Sequence, residues 1–358
     1  MTARVATLNS AETAGRTGAT PLPSPAALAE RLPIGAMTRA RIAAQREAIR
    51  AVLRGDDPRL MVVVGPCSVH DPQAALDYGR RLARLADELS DELLIVMRVY
   101  VEKPRTTIGW KGLLHDPDLD GVNDLARGLA VSRELLIELA DLGLPIATEL
   151  LTPIAADYLE DTLAWAAIGA RTTESQTHRE RMSGLDLAVG FKNGTEGEIG
   201  SACDAMAAAA SPQCYFGIDA TTGAPAAVAT PGNPDTHLIL RGGRSGPNYD
   251  AGAVAAAVER LTIAGQNPRV VVDCSHGNSG KQAARQPAVL ADLVARRQSG
   301  ESGVVGVMLE SNLAAGKQSL GGELAYGQSV TDDCLGWDDT EATLRETAAA
   351  LGGNRDGG

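Results

Sequence analysis

The sequence predicts an α/β fold, a (β/α)8 barrel of the TIM type, from three observations. Eight short aliphatic runs recur along the chain, the runs do not alternate apolar with polar residues, and most stretches between them carry apolar residues at helical spacing. Continuous aliphatic runs suit parallel strands buried on both faces. Eight strand–helix alternations close into a barrel or, as the alternative, build a doubly wound open sheet. A length of 358 residues fits one such domain, because α/β barrels run longer than most domains.

In chain order, residues 1–32 are rich in Ala, Thr, Ser and Pro without a sustained period and are expected to form a flexible N-terminal extension. Within it, Ser24 and Pro25 suit the N-cap and first position of a short helix reaching Leu32. The expected strands occupy 60–64, 93–99, 145–148, 166–169, 188–191, 238–240, 269–272 and 304–309. A ninth candidate at 214–218 is expected to belong to a small inserted β element near 214–230. Asp71-Pro72 opens a helix along which Ala75, Tyr78, Leu82, Leu85 and Leu89 follow at spacings of three and four. Further helices are expected over 253–264, with Gly265 as C-cap, and over 340–351, ended by Gly352. Without repeats or a long low-complexity linker, residues 33–352 are expected to form a single domain and 353–358 a frayed tail.

Composition excludes several function classes. Hydrophobic residues at 44%, charged residues at 22% and a mean hydropathy of -0.07 describe a globular chain, not a disordered one. No apolar run of 18 residues exists, so no membrane span is expected. Residues 1–32 lack the charged-then-apolar layout of a signal peptide, which makes the cytoplasm the default address. Five cysteines, an odd number in a long chain, form no disulfide framework. Aromatics at 3% imply a core of small aliphatic side chains, and a net charge of -12 argues against nucleic-acid binding.

The residues that end the runs carry the chemistry. Cys67 follows the first run, Arg98 lies in the second with Lys103 and Arg105 after it, and Glu149, Arg171, Lys192, Arg241, His276 and Glu310 end or follow the others. In a barrel these ends converge on one mouth, where barrel active sites sit. A single Arg or Lys is most often a surface ion-pair partner, but Arg98, Lys103, Arg105, Arg171, Lys192 and Arg241 together require an anion, on the order of two phosphate or carboxylate groups. Cys67, His276, Glu310 and a later acid suit a borderline divalent metal such as Mn, Fe, Co or Zn. A lone Cys at a strand end is more often a small buried apolar residue, and no CxxC pair accompanies this one. Its run and those of His276 and Glu310 (the first, seventh and eighth) are neighbours in a closed barrel, which keeps the metal reading competitive. Cys203, Cys214, Cys274 and Cys334 are taken as structural, and His178, in a polar stretch, is not assigned to catalysis. The Gly run at 242–246 is weak evidence for a phosphate cradle, and no dinucleotide-binding or P-loop pattern stands in strand–helix context.

The segments GPCSVHDP (65–72), MRVYVEKPRTTIGWKG (97–112), GARTTESQTHRE (169–180), GFKNGTEG (190–197), LILRGG (238–243), DCSHGNSGKQ (273–282), GVMLESNL (306–313) and SVTDDCLGW (329–337) closely resemble the type I 3-deoxy-D-arabino-heptulosonate-7-phosphate synthases, in order from about residue 56 to 350. The resemblance implies a metal-dependent barrel that condenses phosphoenolpyruvate with erythrose 4-phosphate and releases phosphate. It implies metal ligands Cys67, His276, Glu310 and Asp332; phosphoenolpyruvate contacts from Arg98, Lys103, Arg171, Lys192 and Arg241, with Glu149 nearby; and Arg105 and Thr106 on the phosphate of the second substrate. Lys103, Arg98, Glu149 and His276 form the expected catalytic group, with Lys103 a candidate proton donor and Asp332 a further substrate contact. A homodimer or homotetramer is implied as well. Two other readings stay open: the same chemistry on another phosphorylated aldose, and a non-catalytic regulatory relative. Members of this family are commonly inhibited by aromatic amino acids, but Thr152, Ala156 and Asp186 depart from the pattern of inhibitor-sensitive members, so weak or absent inhibition is expected, with tyrosine the first effector to try.

Overall fold

The computed structural model describes residues 18–105, 107–301 and 303–353. Residues 1–17 of the expected extension, Thr106, and all but the first residue of the expected C-terminal tail lie outside them. Ten strands form among the described residues: β1 (Leu60–Gly65), β2 (Leu93–Arg98), β3 (Ile146–Glu149), β4 (Trp165–Ile168), β5 (Ala188–Lys192), β6 (Gln213–Ile218), β7 (Pro225–Thr230), β8 (Thr236–Leu240), β9 (Val270–Asp273) and β10 (Val304–Glu310). All but β6 and β7 make a closed parallel barrel in chain order, with β10 returning to β1. Every residue of the eight barrel strands is buried, as the unbroken aliphatic runs require. β6 and β7 form the inserted element, an antiparallel hairpin outside the barrel.

The helices are α1 (Pro25–Arg31), α2 (Ala36–Arg54), α3 (Pro72–Glu88), α4 (Leu125–Asp141), α5 (Ala155–Leu159), α6 (Gln176–Met182), α7 (Gly200–Ala210), α8 (Ala251–Ile263), α9 (Gln286–Gln298) and α10 (Trp337–Gly352). Ser24 caps α1 and Asp71 caps α3 through their side chains, each with Pro at the start of the helix. Four expected boundaries move. α8 starts at Ala251, two residues before the predicted start, with Asp250 as its N-cap, and Gly265, with a φ of 66°, follows the capping Ala264. α10 begins at Trp337, whose indole donates to Glu341, and Gly352 is its last residue with Gly353 as the cap.

α2 has no counterpart in the sequence prediction, because Ile42, Ile49, Val52 and Leu53 are thinly spread among arginines and alanines. Ile49, Val52 and Leu53 pack with the residues that fill the barrel, among them Met61, Val63, Leu94, Trp165, Ile239 and Val271. Arg50 pairs with Asp186 and Asp235, both at 2.6 Å and both just before a strand, so α2 closes the N-terminal end of the barrel. The other end is left for the site.

At this floor Trp165 donates its indole N–H to His237 Nε2 at 3.1 Å, and burial pushes the imidazole down to about 3 from 6.5. The unfolded chain therefore takes up this proton first as the pH falls. Stability from the neutral ring is complete above about pH 6.5 and is lost as the pH drops toward 3. Urea unfolding should show a loss of about 2 kcal/mol between pH 7 and pH 5 that His237→Asn removes. An unchanged pH slope in that variant would show that another group is responsible.

Candidate active site

A cavity of about 300 Å³ opens at the C-terminal ends of the strands. Arg98, Lys103, Arg105, Glu149, Arg171, Lys192, Arg241, His276, Glu310 and Asp332 all line it. Arg98, Glu149, Lys192 and Glu310 are the last residues of β2, β3, β5 and β10, and Arg241 follows β8 directly. The strand termini thus deliver the charged set to one place.

Arg98 is 1% exposed and pinned on one side. Its Nε donates to the Pro66 carbonyl at 3.0 Å, and Nη2 donates to the Cys67 carbonyl at 3.1 Å and to Glu310 Oε1 at 2.9 Å. The Tyr100 ring lies 3.6 Å from its guanidinium carbon. Nη1 is buried with no hydrogen-bond partner among the described residues. Gly65 permits this approach, since a Cβ there would sit 2.5 Å from the Arg98 carbonyl oxygen.

Lys103 reaches the other acidic cluster, its Nζ 2.7 Å from Cys67 Sγ and 3.0 Å from Asp332 Oδ2. Cys67 Sγ and carboxylate oxygens of Glu310 and Asp332 lie within 4.8 Å of one another. Three of the four predicted metal ligands therefore converge. His276 stands at the edge of this group, Nε2 3.8 Å from Glu310 Oε1, while Nδ1 faces Asp273 Oδ2 at 2.9 Å. Burial pushes the Cys67 thiol up to about 11, with Glu310 adding to the shift. Burial also opposes the charges of Lys103, Asp332 and Glu310, yet their neighbours prevail: the Lys103 ammonium is held protonated by Cys67, Glu310 and Asp332, and both carboxyls are held below their usual range, Asp332 by Lys103 and Glu310 by His276 and Arg98.

Sequence reasoning missed the buried groups behind the cavity. Asp273, the last residue of β9, sits 3.2 Å from Lys192 Nζ and 2.9 Å from His276 Nδ1, and these neighbours hold its carboxyl well below the usual range against burial. Its place at a strand end beside His276 was the available signal. Gln286 of α9 clamps the Glu310 backbone, accepting from its N–H at 2.7 Å and donating to its carbonyl at 2.9 Å, a contact no local pattern announces. The Gly run at 242–246 serves close packing: a Cβ on Gly242 or Gly243 would lie 2.6 Å or less from the backbone of 277–278 or 196–197. Cys214 departs from its structural assignment; it is exposed on β6, whereas Cys203, Cys274 and Cys334 are buried.

The model of the DAHP synthetase I family matches residues 37–345. The chain belongs to that family. It is 51% identical over 335 residues to the Tyr-sensitive phospho-2-dehydro-3-deoxyheptonate aldolase of Escherichia coli K12, covering 93% of this chain and 94% of that one. It is 51% identical over 333 residues to the Phe-sensitive enzyme of the same organism, covering 92% and 95%. The solved phospho-2-dehydro-3-deoxyheptonate aldolase of Francisella tularensis superposes with a TM-score of 0.92 at 42% identity, covering 94% of this chain and 98% of that one. The chain is thus an enzyme, a transferase with DAHP synthase function, the opening step of aromatic biosynthesis. No described helix is long and apolar enough to cross a membrane.

Proposed function

We propose that this enzyme condenses phosphoenolpyruvate with D-erythrose 4-phosphate and water, giving 3-deoxy-D-arabino-heptulosonate 7-phosphate and phosphate, with one divalent ion (Mn, Fe, Co or Zn) at the site. The observation that carries the reading is the cavity itself, where six cations from successive strand ends face a thiol–carboxylate group. Two phosphorylated substrates supply the anions these cations need. One buried thiol and two carboxylates suit a borderline divalent ion. Cys67, Glu310 and Asp332 would hold it with His276 as the fourth ligand, and a bound ion would supply Lewis acidity toward an aldehyde oxygen.

In this reading Arg98, Arg171, Lys192 and Arg241 hold the phosphate and carboxylate of phosphoenolpyruvate, and the unpartnered Arg98 Nη1 supports an anion in that place. Arg105 and Thr106 hold the phosphate of the aldose. C3 of phosphoenolpyruvate bonds to the aldehyde carbon, C2 becomes electron-poor and takes up water, and the resulting phosphohemiketal loses phosphate. Lys103 gives a proton to the developing alkoxide in this reading, which its contact with Asp332 beside the cavity supports, and Glu149 stands beside Lys192. The reading includes a cytoplasmic address, one catalytic domain over 33–352, and a homodimer or homotetramer. The hairpin supports the oligomer, because Phe216 is 87% exposed on a face shared with Cys214, Ala227 and Ala229.

Phosphate release from the two substrates, with chelator and with added Mn, tests the proposal. Turnover that chelator stops and metal restores is expected; no turnover with metal present would overturn it, and turnover only with another aldose would reassign the acceptor. The reading also includes weak or absent inhibition by aromatic amino acids. Asp186, in open solvent, is committed to Arg50 and Arg46. Micromolar inhibition by any one aromatic amino acid, tyrosine being the first to try, would defeat that part.

A further inference from the structure

One buried carboxylate belongs to neither the metal group nor the substrate cations. Glu102, 1% exposed, directly precedes Lys103. Its Oε1 accepts from Thr152 Oγ1 at 2.6 Å and lies 3.1 Å from His115 Nε2, and its Oε2 accepts from the backbone N–H groups of Leu151 and Thr152, both at 3.2 Å. A carboxylate has about four lone-pair sites, and each here has a partner, which is what a buried ion requires.

These partners sit on different segments. Residues 101–103 and 111–114 pair with one another, Lys103 N–H donating to the Lys111 carbonyl at 2.8 Å and Leu114 N–H to the Val101 carbonyl at 3.0 Å. His115 directly follows the second of these segments, and Leu151 and Thr152 belong to the loop after β3. Leu151 also lines the cavity, and its carbonyl is 2.6 Å from His178 Nε2 on α6. His178 Nδ1 in turn lies 2.7 Å from Ser175 Oγ, at the end of the loop that carries Arg171. Glu102 therefore joins the base of the Lys103–Arg105 loop to a hydrogen-bonded wall of the cavity.

We propose that Glu102 is a positioning residue that, through His115, Leu151 and Thr152, sets where Lys103 and Arg105 stand in the cavity. The inference rests on the reading that Arg105 holds the phosphate of the aldose. Without the carboxylate, two backbone N–H groups and a hydroxyl lose their acceptor and the loop loses its tie. A loop displaced by about 1 Å costs up to a hundredfold in binding or rate, even though no substrate contact is removed.

The test uses the full chain, metal-loaded, with Glu102→Ala, Glu102→Gln, Thr152→Val and, as reference, Arg105→Ala. Glu102→Ala should raise KM for erythrose 4-phosphate about tenfold, more than it raises KM for phosphoenolpyruvate, with unchanged metal content. Glu102→Gln should recover most of the loss, because its carboxamide oxygen still accepts the two backbone N–H groups and its NH2 can donate to Thr152 Oγ1. Thr152→Val, which keeps the fold even if Glu102→Ala does not, should raise the same KM about twofold to fivefold. The proposal is overturned if Thr152→Val leaves that KM unchanged, if Gln is no better than Ala, or if both substrates' KM values rise equally. If Arg105→Ala itself leaves the aldose KM unchanged, the assignment of Arg105 fails instead.

Discussion

Lys103→Met should lower kcat/KM by about a thousandfold or more while the protein still takes up its metal. The Lys103 ammonium is buried, 2.7 Å from Cys67 Sγ and 3.0 Å from Asp332 Oδ2, and it also lines the cavity. It is thus a cation in contact with both the proposed ligand group and the substrate space, as Arg98 is through Glu310, but the one of the two that touches the thiol. Met preserves the length and apolar stem, so the change removes the charge and the proton with little loss of packing. Metal binding should survive, because the variant deletes no ligand and removes a positive charge that opposes a cation. Lys103→Arg should not rescue activity, since a planar guanidinium cannot occupy the space of a compact ammonium. Steady-state turnover and metal analysis of the same preparations decide the matter. A loss below tenfold in kcat/KM would show that Lys103 is not the proton donor and that another group serves.

The barrel was legible because strands buried on both faces cannot alternate, and eight unbroken aliphatic runs leave few other architectures. The cavity lining was legible for a related reason: in a barrel, charge at strand ends has one common destination, and Arg98, Glu149, Lys192 and Glu310 all occupy terminal strand positions. Asp332 lies in a long loop after β10, and only the resemblance placed it beside Cys67. α2 escaped because its burial comes from plugging the barrel floor rather than from a wide apolar stripe. Glu102 and Gln286 escaped because their work is done through contacts between segments distant in sequence, Glu102 with Thr152 and Gln286 with Glu310, whereas Asp273 carried a signal in its strand-end place beside His276. Spacing along the chain carries no trace of such contacts, whereas a strand's hydrophobic run is written in consecutive residues.

Cys67→Ala should reduce bound metal to a small fraction of one ion per chain and activity to about one percent or less of the parent. The thiol is fully buried and lies within 4.8 Å of carboxylate oxygens of Glu310 and Asp332, so its removal leaves the proposed set with two carboxylates and the His276 imidazole but no sulfur, next to Lys103. A three-ligand site without its anionic sulfur favours weaker, more exchangeable binding of Mn, Fe, Co or Zn. The packing cost of replacing a small buried thiol by a methyl is about 1 kcal/mol, too small to unfold the barrel and so to mimic loss of the site. Loading with cobalt separates ligand loss from general damage: the parent should show thiolate-to-cobalt charge-transfer absorption and Cys67→Ala should not. Under the same loading His276→Ala should keep the thiolate band but change the ligand-field spectrum, because the proposed fourth ligand is lost while sulfur remains. Cys67→Ala that retained both full metal content and full activity would remove sulfur from the ligand set. It would also leave the contact between Lys103 and Cys67 as a feature of packing alone.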